Sequence, residues 1–125
     1  ANWSFGIRES LIRKRVNSAR KSGAELVVLL SHNGFDVDRK LASRVDGIDV
    51  ILTGHTHDAV PAVVKVNNTL LVASGSHGKF LARLDLDISK GKIRDYSFRL
   101  IPVFSDVIEP DRGMADIIKK NSCAI

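Results

Sequence analysis

Cysteine is almost absent from this chain: Cys123 is the only one in 125 residues. No internal disulfide can form, and the sequence carries no mark of a redox compartment. Cys123 sits in a tail expected to fray, which gives it no reactive role. Long apolar runs are missing too, and none approaches the ~20 residues needed to cross a bilayer. The opening ANWSFGIRES has no charged start followed by an apolar block, so no signal peptide is read there. That absence assigns no compartment. Internal repeats and low-complexity stretches are also lacking. What remains, 44% hydrophobic and 26% charged residues, is the composition of one ordinary globular domain or a piece of a larger one.

Basic residues outnumber acidic ones 19 to 14, for a formal net charge of +5. Such an excess raises nucleic acid or an anionic substrate as a partner. Five cations, Arg13, Lys14, Arg15, Arg20 and Lys21, fall in one predicted helix over residues 8–22. Most lie toward its carboxyl end, where cations suit the helix dipole. No aromatics interleave with them and no nucleic-acid fold signature is present. The pattern reads as a solvated helix face. A non-catalytic basic module that grips an acidic partner through this helix is the alternative of a different class.

That helix places Ile7, Leu11, Ile12, Val16 and Ala19 at near-helical spacing and stops at Gly23. Before it, Trp3 and Phe5 alternate with polar residues as the end of a strand would. Residues 25–31 then form a strand whose unbroken Val-Val-Leu-Leu run predicts burial on both faces. Asp36 or Asp38 caps a short helix reaching Val45, and residues 48–53 form a second strand. Strand, helix and strand within about thirty residues make a βαβ unit, which dictates a parallel pair with a right-handed crossover. From Pro61 the pattern becomes antiparallel with one wet face. Residues 62–66 and 69–74 flank Asn67-Asn68, a pair suited to a tight hairpin turn. Residues 79–89 and 92–103 alternate around Lys90-Gly91. Phe80, Ala82, Leu84, Leu86 and Ile88 make one apolar face, matched by Tyr96, Phe98 and Leu100. A last helix covers 114–120. The fold class is α/β, a βαβ unit followed by antiparallel strands.

The chemistry gathers in residues 27–58. Two apolar runs end in histidine-bearing loops, Ser31-His32-Asn33-Gly34 and Gly54-His55-Thr56-His57-Asp58. Both lie past the carboxyl ends of strands, the edge at which open α/β sheets bind ligands. Gly54 is expected to let the chain turn sharply and bring His55 and His57 toward His32. Loop histidines taken singly are ordinary polar surface, but three converging from two neighbouring strand ends point to a metal site. Imidazole suits zinc, iron, nickel and copper, and added oxygen ligands extend the choice to manganese. Three histidines could build a mononuclear site, whereas a two-metal site needs bridging and terminal oxygens. Asp58 is a candidate to orient an imidazole through its free N–H. Asn33 and His77 are candidates to line the pocket or to serve as plain turn residues, while Asp36 and Asp38 read as helix caps.

SHNG followed by GHTH resembles the last two metal-binding motifs of the calcineurin-like metallophosphoesterases, nearest the branch that contains the 5′-nucleotidases. The phrases LSHNGFDVDRKLASRV, GIDVILTGHTHDAVP, ASGSHGKFLARLDLD and RLIPVFSDVI further resemble the thiosulfohydrolases of the bacterial Sox sulfur-oxidation system, from Phe5 to about Met114. The resemblance implies part of an α/β/β/α metallophosphoesterase sandwich and a periplasmic hydrolase with two divalent ions, usually manganese, with zinc possible. It implies release of sulfate from a sulfonated cysteine persulfide on a sulfur-carrier protein, with a 5′-nucleotidase-type phosphoesterase as the runner-up. By motif, His32 and His55 would ligate one ion and His57 the other. The family's Asp-x-His, Gly-Asp-x-x-Asp and Gly-Asn-His-Asp/Glu motifs do not occur in this sequence. The resemblance puts them, with the bridging aspartate and the catalytic histidine, upstream of Ala1, and a separate domain after Val107. Residues 1–109 are thus expected to be the second half of a catalytic domain, and 110–125 a terminal helix or linker. On that reading these residues alone bind metal weakly and turn over little. Apolar sheet and helix surface left exposed should favour a homodimer or strand exchange.

Overall fold

Residues 6–122 are described by a computed structural model, so the alternation of Trp3 and Phe5 and the tail carrying Cys123 lie outside the described residues. The first helix, α1, covers Glu9–Lys21, and its boundary with the next segment is drawn by Gly23. Gly23 has φ 92°, its amide donates to the carbonyl of Arg20, and the Ala24 amide donates to that of Ala19. This paired arrangement is a Schellman motif, which satisfies carbonyls the helix end would otherwise orphan. Val16 is the buried residue of α1 and Ile12 packs beside it. Arg13 donates to the carbonyl of Arg44, and Arg20 pairs with Asp49 while donating to the carbonyls of Ala24 and Gly47. Two of the five helix cations therefore bind the protein's own backbone and acids, which weakens the case for this face as an anion-binding module.

Strand β1 (Val28–Ser31), helix α2 (Phe35–Arg44) and strand β2 (Val50–Thr53) make the expected βαβ unit, with β1 and β2 parallel. The next two strands, β3 (Val64–Val66) and β4 (Thr69–Ala73), form the expected hairpin around Asn67, whose φ is 52°. The sequence reading of a purely antiparallel second half is corrected here. β4 pairs parallel with β2, and the sheet order is β1-β2-β4-β3. Burial follows that order. β4 is buried at all five positions, whereas β1 is an edge strand with Leu30 82% exposed. The two-faced burial expected of residues 27–30 thus belongs to residues 69–73, because only a central strand is covered on both sides.

Helices α1 and α2 cover one face of this sheet. Val16, Leu41, Ala42, Val45, Ile48, Ile51 and Leu71 form the core between them. Over the other face stands a long hairpin, β5 (Phe80–Ser89) and β6 (Lys92–Pro102), turned by Lys90 and Gly91 at φ 52° and 68°. Positive φ at both central residues is the signature of the turn whose twist matches flanking strands. The predicted apolar partners face one another in register, Leu84 with Phe98 and Leu86 with Tyr96. A cleft of about 700 Å³ separates this hairpin from the sheet, with Leu30, Leu52 and Val72 on one wall and Phe80 and Leu84 on the other. The last helix, α3 (Arg112–Asn121), is capped by Asp111, which accepts from the Met114 amide at 2.8 Å, and it buries none of its side chains. No helix among the described residues is long and apolar enough to cross a membrane.

Candidate metal centre

Parallel pairing puts Ser31, Thr53 and Ala73 side by side at one sheet edge. The loops that follow them carry all four histidines. The Gly54 amide donates to the Ser31 carbonyl at 3.0 Å, so the ladder continues into the second loop. Gly54 itself does not make the sharp turn expected of it. The left-handed backbone falls on His55, His57 and His77, with φ of 83°, 59° and 59°. Glycine at 54 instead allows close approach, since a Cβ there would stand 3.3 Å from His32 Nδ1. Left-handed geometry in residues with a Cβ costs roughly 1–2 kcal/mol each, and it persists where the surroundings impose it. Replacing His57 by glycine should accordingly give a protein about 1 kcal/mol more stable than replacing it by alanine. Thermal unfolding of the two variants measures the difference.

The histidines meet as two pairs. His32 and His55 rings stand edge to face with centroids 5.1 Å apart, and His57 and His77 do the same at 5.4 Å. The second pair exists because the loops after β2 and β4 are tied together. The Gly75 amide donates to the Asp58 carbonyl at 2.8 Å, and the Val60 amide to Ala73 at 3.1 Å. A single three-histidine centre is not what the fold assembles. Among the described residues no group of three or more His, Cys, Asp or Glu converges on one point. The reason is local: the left-handed residues His55 and His57, two apart, turn to different neighbours.

Other candidates also find definite places. The Asp58 carboxyl accepts from Thr56 Oγ1 at 2.5 Å, and Thr56 Oγ1 accepts from the Phe35 amide at 3.3 Å. Asp58 thus ties its own loop to the start of α2, with no imidazole among its recorded partners. His77 is exposed and its Nδ1 lies 2.8 Å from Ser76 Oγ. Asn33 turns away from the histidines, donating through Nδ2 to Ser31 Oγ at 2.8 Å and to Asp38 Oδ1 at 3.3 Å.

Asp38 is the residue that sequence reasoning misplaced. The N-cap of α2 is Gly34, φ 99°, and neither Asp36 nor Asp38 caps it. Asp36 is exposed beside Arg39. Asp38 is fully buried, accepting from Ser31 Oγ at 2.7 Å and from Thr53 Oγ1 at 2.5 Å. Among the described residues no Lys or Arg forms an ion pair with it. The available signal was the hydroxyl residue ending each apolar run, Ser31 and Thr53, which requires a partner once buried.

The fold is shared with known proteins. A solved structure of sulfate thiohydrolase SoxB from Thermus thermophilus, in complex with glycerol, superposes with a TM-score of 0.85 at 42% identity, over 94% of this chain and 21% of that one. The chain resembles a part of the catalytic domain of the 5′-nucleotidase/metallophosphoesterase superfamily. A 5′-nucleotidase precursor, also from Thermus thermophilus, matches with a TM-score of 0.76 at 25% identity, over 94% of this chain and 26% of that one. By sequence, the uncharacterized metallophosphoesterase YunD of Bacillus subtilis is 35% identical over 68 residues, 54% of this chain and 15% of its own length. No protein-family model matches. The chain spans between 15% and 26% of the length of these relatives.

The likeness to metallophosphoesterases implies divalent metal ions, and the donor set suits them. Two imidazoles sharing one tetrahedral ion at the usual metal–nitrogen distance of ~2.0–2.1 Å place their ring centres about 5 Å apart. Both histidine pairs have that spacing before any ion is bound. Each pair is still short of the three or more protein ligands typical of a catalytic centre.

Proposed function

We propose that this chain supplies the carboxyl-terminal part of a two-metal hydrolase site, in which His32 and His55 hold one divalent ion and His57 the other. The observation that carries the reading is the pairing of four exposed histidines, two by two, at the carboxyl edge of three parallel strands. When bound, two such ions act as Lewis acids on water and on the bond to be cleaved. His32 and His55 contribute imidazole nitrogens from adjacent strand ends, held by the ladder beneath them. His57 pairs with His77 from the neighbouring loop after β4, which makes His77 the candidate to meet a substrate oxyanion through a ring N–H.

For the whole protein we infer release of sulfate from a sulfonated cysteine persulfide on a sulfur-carrier protein in the periplasm, with manganese as the natural ion. The SoxB likeness at 42% identity supports this substrate. The 5′-nucleotidase likeness, at 25%, supports a phosphoesterase as the second reading. Steady-state assays of the whole protein on the sulfonated carrier and on nucleoside monophosphates separate the two. Within these 125 residues the donors are too few for a closed site, so weak binding and negligible turnover are expected. Calorimetric titration of Mn²⁺ or Zn²⁺ should show heat with this chain and none with the His32→Ala/His55→Ala/His57→Ala variant. Identical isotherms for the two would sink the metal assignment.

A further inference from the structure

We infer that Asp38 is the positioning residue of this site: its carboxyl group clamps the ends of β1 and β2 together and thereby fixes His32 against His55. The residue touches neither imidazole. It acts through the residues next to them. Oδ1 accepts from Ser31 Oγ at 2.7 Å and from Asn33 Nδ2 at 3.3 Å, so both neighbours of His32 are held by one oxygen. Oδ2 accepts from Thr53 Oγ1 at 2.5 Å, and Thr53 is followed directly by Gly54-His55. Asn33 Nδ2 also donates to Ser31 Oγ at 2.8 Å, closing a small ring of hydrogen bonds around the base of the first loop.

The backbone explains why such a clamp is needed. Parallel pairing ends at Ser31 and Thr53, where a single backbone–backbone bond, Gly54 N–H to the Ser31 carbonyl, ties β1 to the second loop; the next link, Phe35 N–H to Thr56 Oγ1, lies beyond both His32 and His55. One hydrogen bond is a hinge, because it leaves rotation about its own axis free. Three side-chain bonds to one rigid carboxyl group, on a helix packed into the core, remove that freedom. The cost is a fully buried acid with no cation beside it. Burying such a group is expensive unless it is hydrogen-bonded, and here the partners are two hydroxyls and an amide that the fold brings from the ends of two strands. An apolar residue would fill the same space at less cost. What the acid adds is a fixed relation between two strand ends.

Asp38 thus accounts for the 5.1 Å ring spacing of one histidine pair, and none of its hydrogen bonds reaches the loop after β4 that carries His77 of the other. Its importance for hydrolysis rests on the two-metal reading, but the geometric claim does not, so the test begins without metal. Nuclear Overhauser contacts between imidazole protons are measured in the full 125-residue chain. In Asp38→Ala the His32–His55 contact should be lost while His57–His77 keeps its intensity. Asp38→Asn, which retains one acceptor and can donate to a hydroxyl turned to receive it, should restore the first contact in large part. If Asp38→Ala fails to fold, Thr53→Val carries the test by cutting only the β2 limb, and it should weaken the His32–His55 contact alone. An unchanged His32–His55 contact, or loss of both contacts together in a folded variant, overturns the proposal. A second readout is affinity for Zn²⁺ alone, which should fall by about 10- to 100-fold in Asp38→Ala, the usual effect of removing a group that orients ligands. A chain that binds no Zn²⁺ would defeat the metal reading while the imidazole contacts still decide the role of Asp38.

Discussion

Leu71→Ala should remove about 2–5 kcal/mol of stability. Leu71 is 0% exposed at the centre of β4, in register with Ile51 on one side and Val64 on the other. Truncation removes the transfer free energy of the lost carbons and leaves a cavity that three hydrogen-bonded strands cannot collapse into. Domains of this size are stable by only ~5–15 kcal/mol, so the loss is a large share of the whole. Urea unfolding should show a lower midpoint with an unchanged slope. Leu30→Ala is the control, since Leu30 is the same residue type at 82% exposure and should cost within about 0.5 kcal/mol. Equal losses at the two positions would mean that the core is not where the sheet places it.

Gly47→Ala should cost about 2–5 kcal/mol by a different route. Gly47 links α2 to β2 with φ 88°, where a Cβ carries a penalty of roughly 1–2 kcal/mol. A Cβ built there also stands 2.8 Å from Val16 Cγ1, inside any real contact distance, and Val16 is the residue that anchors α1. Relieving that overlap by moving α1 would disturb the Arg20 bonds to Gly47 and Asp49, so overpacking of about 1–3 kcal/mol follows. The two parts can be separated by a double-mutant cycle. Val16→Ala destabilises alone, yet in the Gly47→Ala background it should cost about 1 kcal/mol less, because it vacates the contested space. Strict additivity would assign the whole effect to the backbone.

Much of this was legible in the residues. The βαβ unit followed from two apolar runs separated by one amphipathic turn set, and both hairpins followed from Asn67 and from Lys90-Gly91 between alternating strands. Strand partners were harder. Residues 69–73 read as half of a local hairpin, and that hairpin exists, but the second partner of β4 lies across the chain in β2. Local periodicity carries no information on such a pairing; the unbroken Thr-Leu-Leu-Val-Ala run was the sign of burial on both sides. The histidines were found from their positions after strands, while their pairing depended on left-handed angles that no spacing rule gives. An acid in a first helical turn is usually a cap, and nothing in the local sequence separates Asp38 from that rule. Its true partners, Ser31 and Thr53, are seven and fifteen residues away in sequence and come together only when β1, α2 and β2 pack.

The histidine loops leave their strands without a spacer, His32 directly after the last ladder residue of β1 and His55 one glycine after that of β2. Binding energy in such a site is not spent on ordering the donors, because their conformational entropy was surrendered when the sheet formed. The left-handed angles at His55, His57 and His77 are the residue of that exchange, a standing tension in the free protein that exists whether or not anything is bound. Affinity at this edge is therefore written into the folding free energy, and substitutions deep in β2 or β4 will reach the imidazoles without touching them.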